Sequence, residues 1–280
     1  MARLGKRSKH LLPGFNLTLG VTLTYLALIV ALPLSAMLLK TGGLGWPEFW
    51  RIVSSPRAIS SYWITFSSAA VAAAFNAVFG MLLAWVLVRY DFPGKRLVDA
   101  LVDLPFALPT AVAGLALVTL FAPLGWYGQF LEPLGIKVHF AQLGIIIAMA
   151  YTSLPFVVRT VQPVLEDIPG DVEEAARSLG ATPRQVFWRV LLPLVLPAFT
   201  AGTALCFARA IGEFGAVVFI AGNLPGKTEI VSLLIFIRLE EHNYPAAAAL
   251  ATVLLAVAFG ALFVTNMLQS WQLRYADKPR

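Results

Sequence analysis

Long stretches almost free of charge are the feature that most restricts the fold of this chain. A helix needs about 20 apolar residues to cross a hydrocarbon layer of about 30 Å, and six stretches of the sequence approach or exceed that length. Of the 280 residues, 59% are hydrophobic and only 13% are charged, whereas soluble domains average about a quarter charged residues. One soluble core cannot hide so much apolar surface. The sequence therefore predicts an all-α integral membrane protein.

The six stretches predict six transmembrane helices in a single domain that covers residues 1–280. The first stretch follows four basic residues but is far longer than the apolar part of a signal peptide, so we expect it to stay uncleaved. A further apolar stretch, Ile230–Leu239, has about half the length of a crossing and predicts a re-entrant or interfacial segment. The predicted spans lie within Leu11–Leu39, Tyr62–Val88, Leu104–Phe121, Val138–Val158, Leu194–Gly222 and Asn243–Met267.

The basic residues predict the orientation of these spans. Connections that lie on the cytoplasmic side of a membrane carry an excess of Lys and Arg. Here the two termini and the even-numbered connections hold 14 basic residues, and the other connections hold 6. We therefore expect a multi-pass protein of the cell inner membrane with both termini in the cytoplasm. The 14 residues are Arg3, Lys6, Arg7, Lys9, Arg89, Lys95, Arg96, Arg159, Arg177, Arg184, Arg189, Arg274, Lys278 and Arg280, and the 6 are Lys40, Arg51, Arg57, Lys137, Lys227 and Arg238.

Several functional classes lack their signals in this sequence. The net charge of +6 comes from basic residues that punctuate apolar runs, which does not favour a nucleic-acid partner. The single cysteine, Cys206, and three scattered histidines do not have metal-ligand spacing. The sequence contains no P-loop, so we expect no cofactor on this chain and no hydrolysis of ATP by it.

The longest connection on the predicted cytoplasmic side, at about residues 166–193, carries the most specific motif. Glu174, Ala175 and Ala176 are followed after three residues by Gly180, and after nine more by Val190 and then the Leu192-Pro193 pair. Asp171 is positioned to cap a short helix, with Glu173 and Glu174 in its first turn at the positive end of the helix dipole. Gly180 favours a left-handed stop at the helix end. An ordinary amphipathic surface helix is the simpler alternative.

This pattern resembles the EAA loop of type I ABC importer permeases, with Val190 where the family usually has Ile. The resemblance implies that the short helix is a coupling helix, with Glu173, Glu174, Ala175, Ala176, Gly180, Leu192 and Pro193 serving the contact with an ATPase. It implies no catalytic residue on this chain. Three further segments, 104–114, 155–163 and 212–216, resemble the T-type permeases of bacterial and cyanobacterial sulfate/thiosulfate importers.

The sulfate resemblance implies a set of partners. They are a second, W-type permease, a homodimer of a cytoplasmic ATPase that binds ATP and Mg²⁺, and a periplasmic sulfate- or thiosulfate-binding protein. The Gly212–Gly215 segment also occurs in molybdate and tungstate permeases, which leaves those anions as an alternative. An ion-coupled secondary transporter and an intramembrane enzyme are further alternatives, but the sequence shows no clear inverted repeat and no paired catalytic groups.

Arg209 and Glu213 are the ionisable residues that lie well inside a predicted span. Charges inside a membrane are costly and are therefore candidates for function. At a spacing of four residues they would share one helix face. Either they form a structural ion pair, or Arg209 attracts an anion while Glu213 holds the guanidinium in place or forms part of a gate. Thr110 and Ser153, which lie near prolines of the third and fourth spans, are the other candidates for a substrate pathway.

Overall fold

A computed structural model describes residues 15–276, with side chains described as far as Met267. This part of the chain contains helices and no strand. Eleven helices have six or more residues; they are α1 Phe15–Gly42, α2 Trp46–Val53, α3 Pro56–Arg89, α4 Lys95–Val102, α5 Thr110–Phe121, α6 Gln142–Asp167, α7 Gly170–Ser178, α8 Pro183–Ile211, α9 Gly215–Ile220, α10 Val231–Glu240 and α11 Tyr244–Ala276.

Five of these helices, α1, α3, α6, α8 and α11, are long and apolar enough to cross a membrane. They confirm five of the six predicted spans, although Leu11–Gly14 of the first lie outside the described residues. In both α1 and α8 the helix contains a turn of π-helix, at Ala27–Ala31 and Phe187–Leu191. Each of these turns is followed by a proline, Pro33 or Pro193, in the first turn of the resumed α-helix.

The third predicted span was wrong as one continuous helix. The chain forms a single helical turn at Leu104–Ala107, breaks at Leu108 and Pro109, and then forms the 12-residue helix α5. Leu108 has an extended backbone, as expected for a residue that precedes proline. A helix of 12 residues is about 18 Å long, so α5 covers only part of a membrane crossing.

The five long helices extend beyond the predicted spans at one or both ends. The fourth begins at Gln142, within the predicted Val138–Val158, but continues to Asp167, since Pro155 and Pro163 are accommodated inside α6. The fifth does not reach Gly222 as one helix. It ends at Ile211, and after a break the short helix α9 begins at Gly215. Glu213 therefore lies in a break between two helices.

Helices α3, α6 and α8 form the centre of the molecule. Small residues allow them to approach each other closely, as in other membrane helix bundles. A Cβ atom added to Gly80 on α3 would lie 2.8 Å from Val157 of α6, and one added to Gly202 on α8 would lie 3.1 Å from Phe156 O of α6. The buried side chains between the three helices are mainly aliphatic.

Contacts between the helix ends define two sides of the bundle. Arg89 at the end of α3 is paired with Glu173 in α7, so this side also holds the end of α6 and the start of α8. We call it the basic side. On the opposite side, Phe140 N–H donates to Ile220 O at 2.9 Å, which joins the start of α6 to the end of α9.

The remaining helices lie around this centre. Helix α1 is largely exposed and packs on α11, where Thr41 and Thr252 share a hydrogen bond of 3.0 Å. The predicted re-entrant segment forms helix α10, which packs on α3 and α11. The first turn of α10 is fixed by Val231 N–H, which donates to Thr65 Oγ1 of α3 at 2.9 Å. Whether α10 enters the membrane stays a prediction.

Candidate functional site

The two helix breaks lie next to each other in the interior of the bundle. Helix α5 packs along α9 with almost no side-chain atoms between the two backbones. A Cβ atom at Gly114 would lie 2.6 Å from Ala216 O, and one at Gly215 would lie 2.1 Å from Thr110 Oγ1. These distances are too short for any residue larger than glycine, so the glycines are required for the contact. The contact brings Thr110, at the start of α5, to the break that contains Glu213.

The ion pair predicted between Arg209 and Glu213 is present, but its geometry differs from the prediction. Arg209 lies in the last turn of α8, and Glu213 follows two residues after the helix ends, so they do not share a helix face. Arg209 Nη1 and Glu213 Oε2 are 2.7 Å apart. They lack the alignment of a hydrogen bond, so the attraction between them is chiefly that of two charges.

The two members of this pair differ in their surroundings. The Glu213 side chain is 1% exposed, whereas that of Arg209 is 32% exposed. Glu213 Oε1 also accepts a hydrogen bond of 2.9 Å from Ala216 N–H in the first turn of α9, and Glu213 O accepts one of 2.9 Å from Ser232 Oγ. Glu213 therefore fixes the backbone of the break, while part of the Arg209 guanidinium is open to a neighbouring molecule or to solvent.

Ser153 makes no hydrogen bond with Arg209, Glu213 or Thr110. Its side chain is buried and donates to Met149 O, one turn earlier in α6. It also accepts from Asn76 Nδ2 at 3.0 Å and from Cys206 Sγ at 3.3 Å. Of the four candidate pathway residues, the structure thus gathers Arg209, Glu213 and Thr110, and it places Ser153 in a separate polar cluster.

Asn76 is a buried polar residue that the sequence analysis missed. It lies in α3 and donates to Ala150 O of α6 at 2.8 Å, as well as to Ser153. Its contact with Cys206 reaches α8, so one amide joins the three central helices. The available signal was an asparagine at the centre of a long run of small apolar residues, a position where interhelical hydrogen bonds are common.

A second ion pair was also missed, on the opposite side of the bundle. Arg57 in the first turn of α3 donates to both carboxylate oxygens of Glu229, at 2.8 and 2.7 Å. The Glu229 side chain is fully buried, and Ser61 Oγ donates to it at 3.4 Å. This pair fixes the segment before α10 onto α3. The partners are 172 residues apart in sequence, so no local pattern indicates their contact.

The short helix predicted in the longest basic-side connection is present as α7. It begins at Gly170 and not after a cap at Asp171, which lies inside the first turn and makes no cap hydrogen bond. Gly180 has φ of +82°, which confirms the left-handed stop. Its N–H donates to Arg177 O at 2.9 Å, and Ala181 N–H donates to Ala176 O at 3.1 Å. These bonds close the helix end and turn the chain towards α8.

The residues of α7 divide into two faces. Glu173 and Ala176 are half-buried and face the bundle, whereas Glu174 and Ala175 are exposed. Leu179, just beyond the helix, is 90% exposed. The exposed Leu179 and Ala175 leave an apolar surface open at this end of α7, which suits contact with another protein. The Leu192-Pro193 pair lies farther along the chain, where α8 resumes after its π-helical turn.

Within residues 15–267, no group of three or more His, Cys, Asp or Glu side chains is arranged to hold a metal ion. Outside the spanning helices, the hydrogen bond from Arg51 lowers the pKa of the exposed Glu48 carboxyl in α2. That pair lies on the opposite side of the bundle from α7, on the surface of a short peripheral helix.

Residues 76–274 match the sequence profile of the family described as "Binding-protein-dependent transport system inner membrane component". The chain is 55% identical to the "Sulfate transport system permease protein CysT" of Salmonella typhimurium, with 95% of this chain and 96% of that protein covered. It is 54% identical to the CysT protein of Escherichia coli, with 94% and 95% covered. For CysT of Synechocystis the identity is 52%, with 92% and 90% covered.

Solved structures agree on the fold. A bacterial ABC transporter involved in the import of the acidic polysaccharide alginate superposes with a TM-score of 0.77 at 18% identity, covering 94% of this chain and 96% of that one. The MetNI methionine ABC transporter superposes with a TM-score of 0.60 at 19% identity, covering 82% and 99%. From its sequence and its fold, the chain belongs to the family of binding-protein-dependent transport system inner membrane components, among which it is similar to the CysT permeases.

Proposed function

We propose that this chain is the membrane-spanning permease subunit of an ATP-driven importer that moves sulfate or thiosulfate from the periplasm to the cytoplasm. The observation that carries this proposal is the identity of 52–55% over nearly the whole chain to permeases named for sulfate transport. The aligned part is 95% of this chain, so it includes the EAA-like loop and the Gly212–Gly215 break. Members of a family of transport components that share half of their residues commonly share the transported ion.

The chain is proposed to lie in the inner membrane of a cell. The basic side of the bundle is proposed to face the cytoplasm. The 14-to-6 distribution of basic residues supports this orientation. Six of the 14 basic residues lie outside residues 15–276, and the side chain of Arg274 is not described either, so the structure describes seven of these side chains. Arg89 and Arg177 both contact Glu173 on that side, and Arg159 is paired with Asp99 and Asp103 of the neighbouring connection.

The energy for transport is proposed to come from partner subunits. In this proposal residues 1–280 form one permease domain, and the connection at about residues 166–193 is its coupling loop. The exposed face of α7, with Glu174, Ala175 and Leu179, is the contact for a cytoplasmic ATPase homodimer that binds ATP and Mg²⁺; this chain binds neither. A W-type permease completes the membrane part, and a periplasmic binding protein delivers the anion. A related alginate transporter has been solved with a periplasmic protein bound.

The substrate pathway is proposed to pass the break beside Arg209. Its partly exposed guanidinium offers positive potential to a divalent anion, and Glu213 reduces that potential so that the anion is held weakly. Weak binding is what a permease requires, because a deep site slows release. Thr110 adds a hydroxyl at the same break. The hydroxyl of Ser153 is occupied within the Asn76 cluster, so its contribution is to helix packing.

The test is reconstitution of the chain with its co-expressed permease, ATPase and binding-protein partners in liposomes. ATP-dependent uptake of radiolabelled sulfate is expected, with competition by thiosulfate. Uptake of molybdate or tungstate in its place, with no uptake of sulfate or thiosulfate, would identify the alternative importer. Sulfate uptake that continues without ATP and follows a proton gradient would contradict the ATP-driven mechanism.

A further inference from the structure

The end of the central helix α3 touches the inner face of α7 through one ion pair. Arg89 Nη2 lies 2.8 Å from Glu173 Oε1, and the two side chains are 23% and 15% exposed. These atoms and Arg89 Nε are buried without an aligned hydrogen bond. Water therefore screens this pair less than an exposed pair. The attraction weakens when the distance between the two groups increases.

A chain of contacts leads from the same arginine into α8. The Arg89 guanidinium lies 5.8 Å from the ring centre of Trp85, one turn earlier in α3. Trp85 packs edge-on against Phe187 at 5.3 Å. Phe187 is the first residue of the π-helical turn through which the chain enters the membrane part of α8. An arginine stacked on a tryptophan keeps a defined position, because stacking restricts its rotamers.

The backbone connects α7 to α6 and α8, its neighbours in sequence, and Ala176 on its inner face packs on the apolar cluster that includes Val186 and Leu191 of α8. Residues Ile168 and Pro169 before α7 are extended, and Gly180 after it is left-handed, so both connections are turns that allow the short helix to tilt. The Arg89–Glu173 pair is a third connection, to a helix that is distant in sequence. Through Asn76 and Gly80, α3 is in turn joined to α6 and α8 deeper in the bundle.

We infer that Arg89 is a positioning residue that links α7 to α3 through Glu173, so that a displacement of α7 moves α3 together with α8. The inference rests on the proposed function, in which an ATPase displaces α7. It also assigns different tasks to two adjacent glutamates. Glu174 faces outwards to the ATPase, whereas Glu173 faces inwards and connects α7 with the bundle.

The test uses the complete importer in proteoliposomes and measures sulfate transported per ATP hydrolysed. Arg89→Gln is expected to assemble and to hydrolyse ATP while this ratio falls by about fivefold, at the lower end of usual coupling between sites. Arg89→Lys keeps the charge and is expected to retain more than half of the ratio. Arg96→Gln removes a basic charge from exposed helix α4 on the same side, and as the matched control it is expected to leave the ratio unchanged.

A double-mutant cycle separates linkage from independent damage. If Arg89 acts through Glu173, the Arg89→Gln, Glu173→Gln double variant has the same ratio as Arg89→Gln alone. The inference would be overturned if the double variant showed the product of the two single losses in this ratio. It would also be overturned if Arg89→Gln had the same ratio as the unmodified importer. If Arg89→Gln does not assemble, Glu173→Gln decides, because it is isosteric and lies on a surface helix: an unchanged ratio overturns the linkage and a fall supports it. An unmodified importer without sulfate-dependent ATP hydrolysis would instead overturn the proposed function.

Discussion

The ion pair between Arg209 and Glu213 gives the sharpest test of the proposed pathway. In Arg209→Ala, the Glu213 carboxylate, which is 1% exposed, keeps its hydrogen bond from Ala216 N–H but loses its counter-charge. An unpaired buried charge of this kind typically costs about 3–5 kcal/mol. We expect a strong loss of assembled protein, visible as a smaller monodisperse peak in size-exclusion chromatography.

The opposite single change is expected to be milder. Glu213→Gln keeps an oxygen for the bond from Ala216 N–H, and the Arg209 side chain that loses its partner is already 32% exposed. An incompletely paired polar group of this kind costs about 1–3 kcal/mol. The order of the two single variants in thermal unfolding of the purified importer therefore tests the difference in burial. Equal stability of both would show that Glu213 is not in a low-dielectric environment.

The double variant Arg209→Ala, Glu213→Gln separates a structural role from a role in transport. It contains no unpaired charge, so we expect assembly close to that of the unmodified protein. If Arg209 attracts the anion, sulfate uptake stays low in spite of this recovery. Uptake must be normalised to the amount of assembled importer. A well-assembled double variant that transports at the original rate would refute a direct role of Arg209 with the anion.

Three further changes test other parts of the interpretation. In a background without the native cysteine, a cysteine at Gly42 is expected to react with an impermeant thiol reagent added to intact cells, and one at Arg184 is not; labelling at the second site would reverse the proposed orientation. Gly180→Val is expected to reduce uptake at least severalfold with normal protein levels, because a β-branched residue is strained at φ of +82°; normal uptake would argue against the coupling-helix interpretation. Gly114→Ala is expected to lower the unfolding temperature and uptake, because its methyl group would lie 2.6 Å from the backbone oxygen of Ala216; unchanged values would show that this contact is not tight.

The parts of the fold that were predicted correctly depend on local sequence. Hydropathy located five long helices, because a long run of apolar residues indicates a membrane-spanning helix without information from the rest of the chain. The left-handed residue at Gly180 and the short helix before it were also predicted, since a helix stop needs only a few adjacent residues. The predicted cap at Asp171 was wrong, because this residue is a good cap by type but lies one residue inside the helix.

The break at Leu108 and Pro109 has a local cause in the proline, whereas the other errors occur where distant segments decide the local structure. The chain breaks between Ile211 and Gly215 because Glu213 bonds to Ala216 and Ser232 and because α5 occupies the adjacent space. Apolar composition on both sides gave no sign of this break. Arg57 and Glu229 lie in different predicted connections, and only the folded chain brings them together.

The close contact of α5 with α9 has a consequence for how the bundle can move. Side chains normally act as compliant spacers, since rotamer changes let two helices slide past each other by small steps. Here the backbone of Ala216 and the hydroxyl of Thr110 lie directly against glycine positions, so there is no such spacer. The two short helices can travel together as one body, or they can separate completely, but they have little freedom for small adjustments. A motion that opens a passage beside Arg209 must therefore hinge at the ends of this pair, at Leu108 and Pro109 on one helix and at Gly212 on the other.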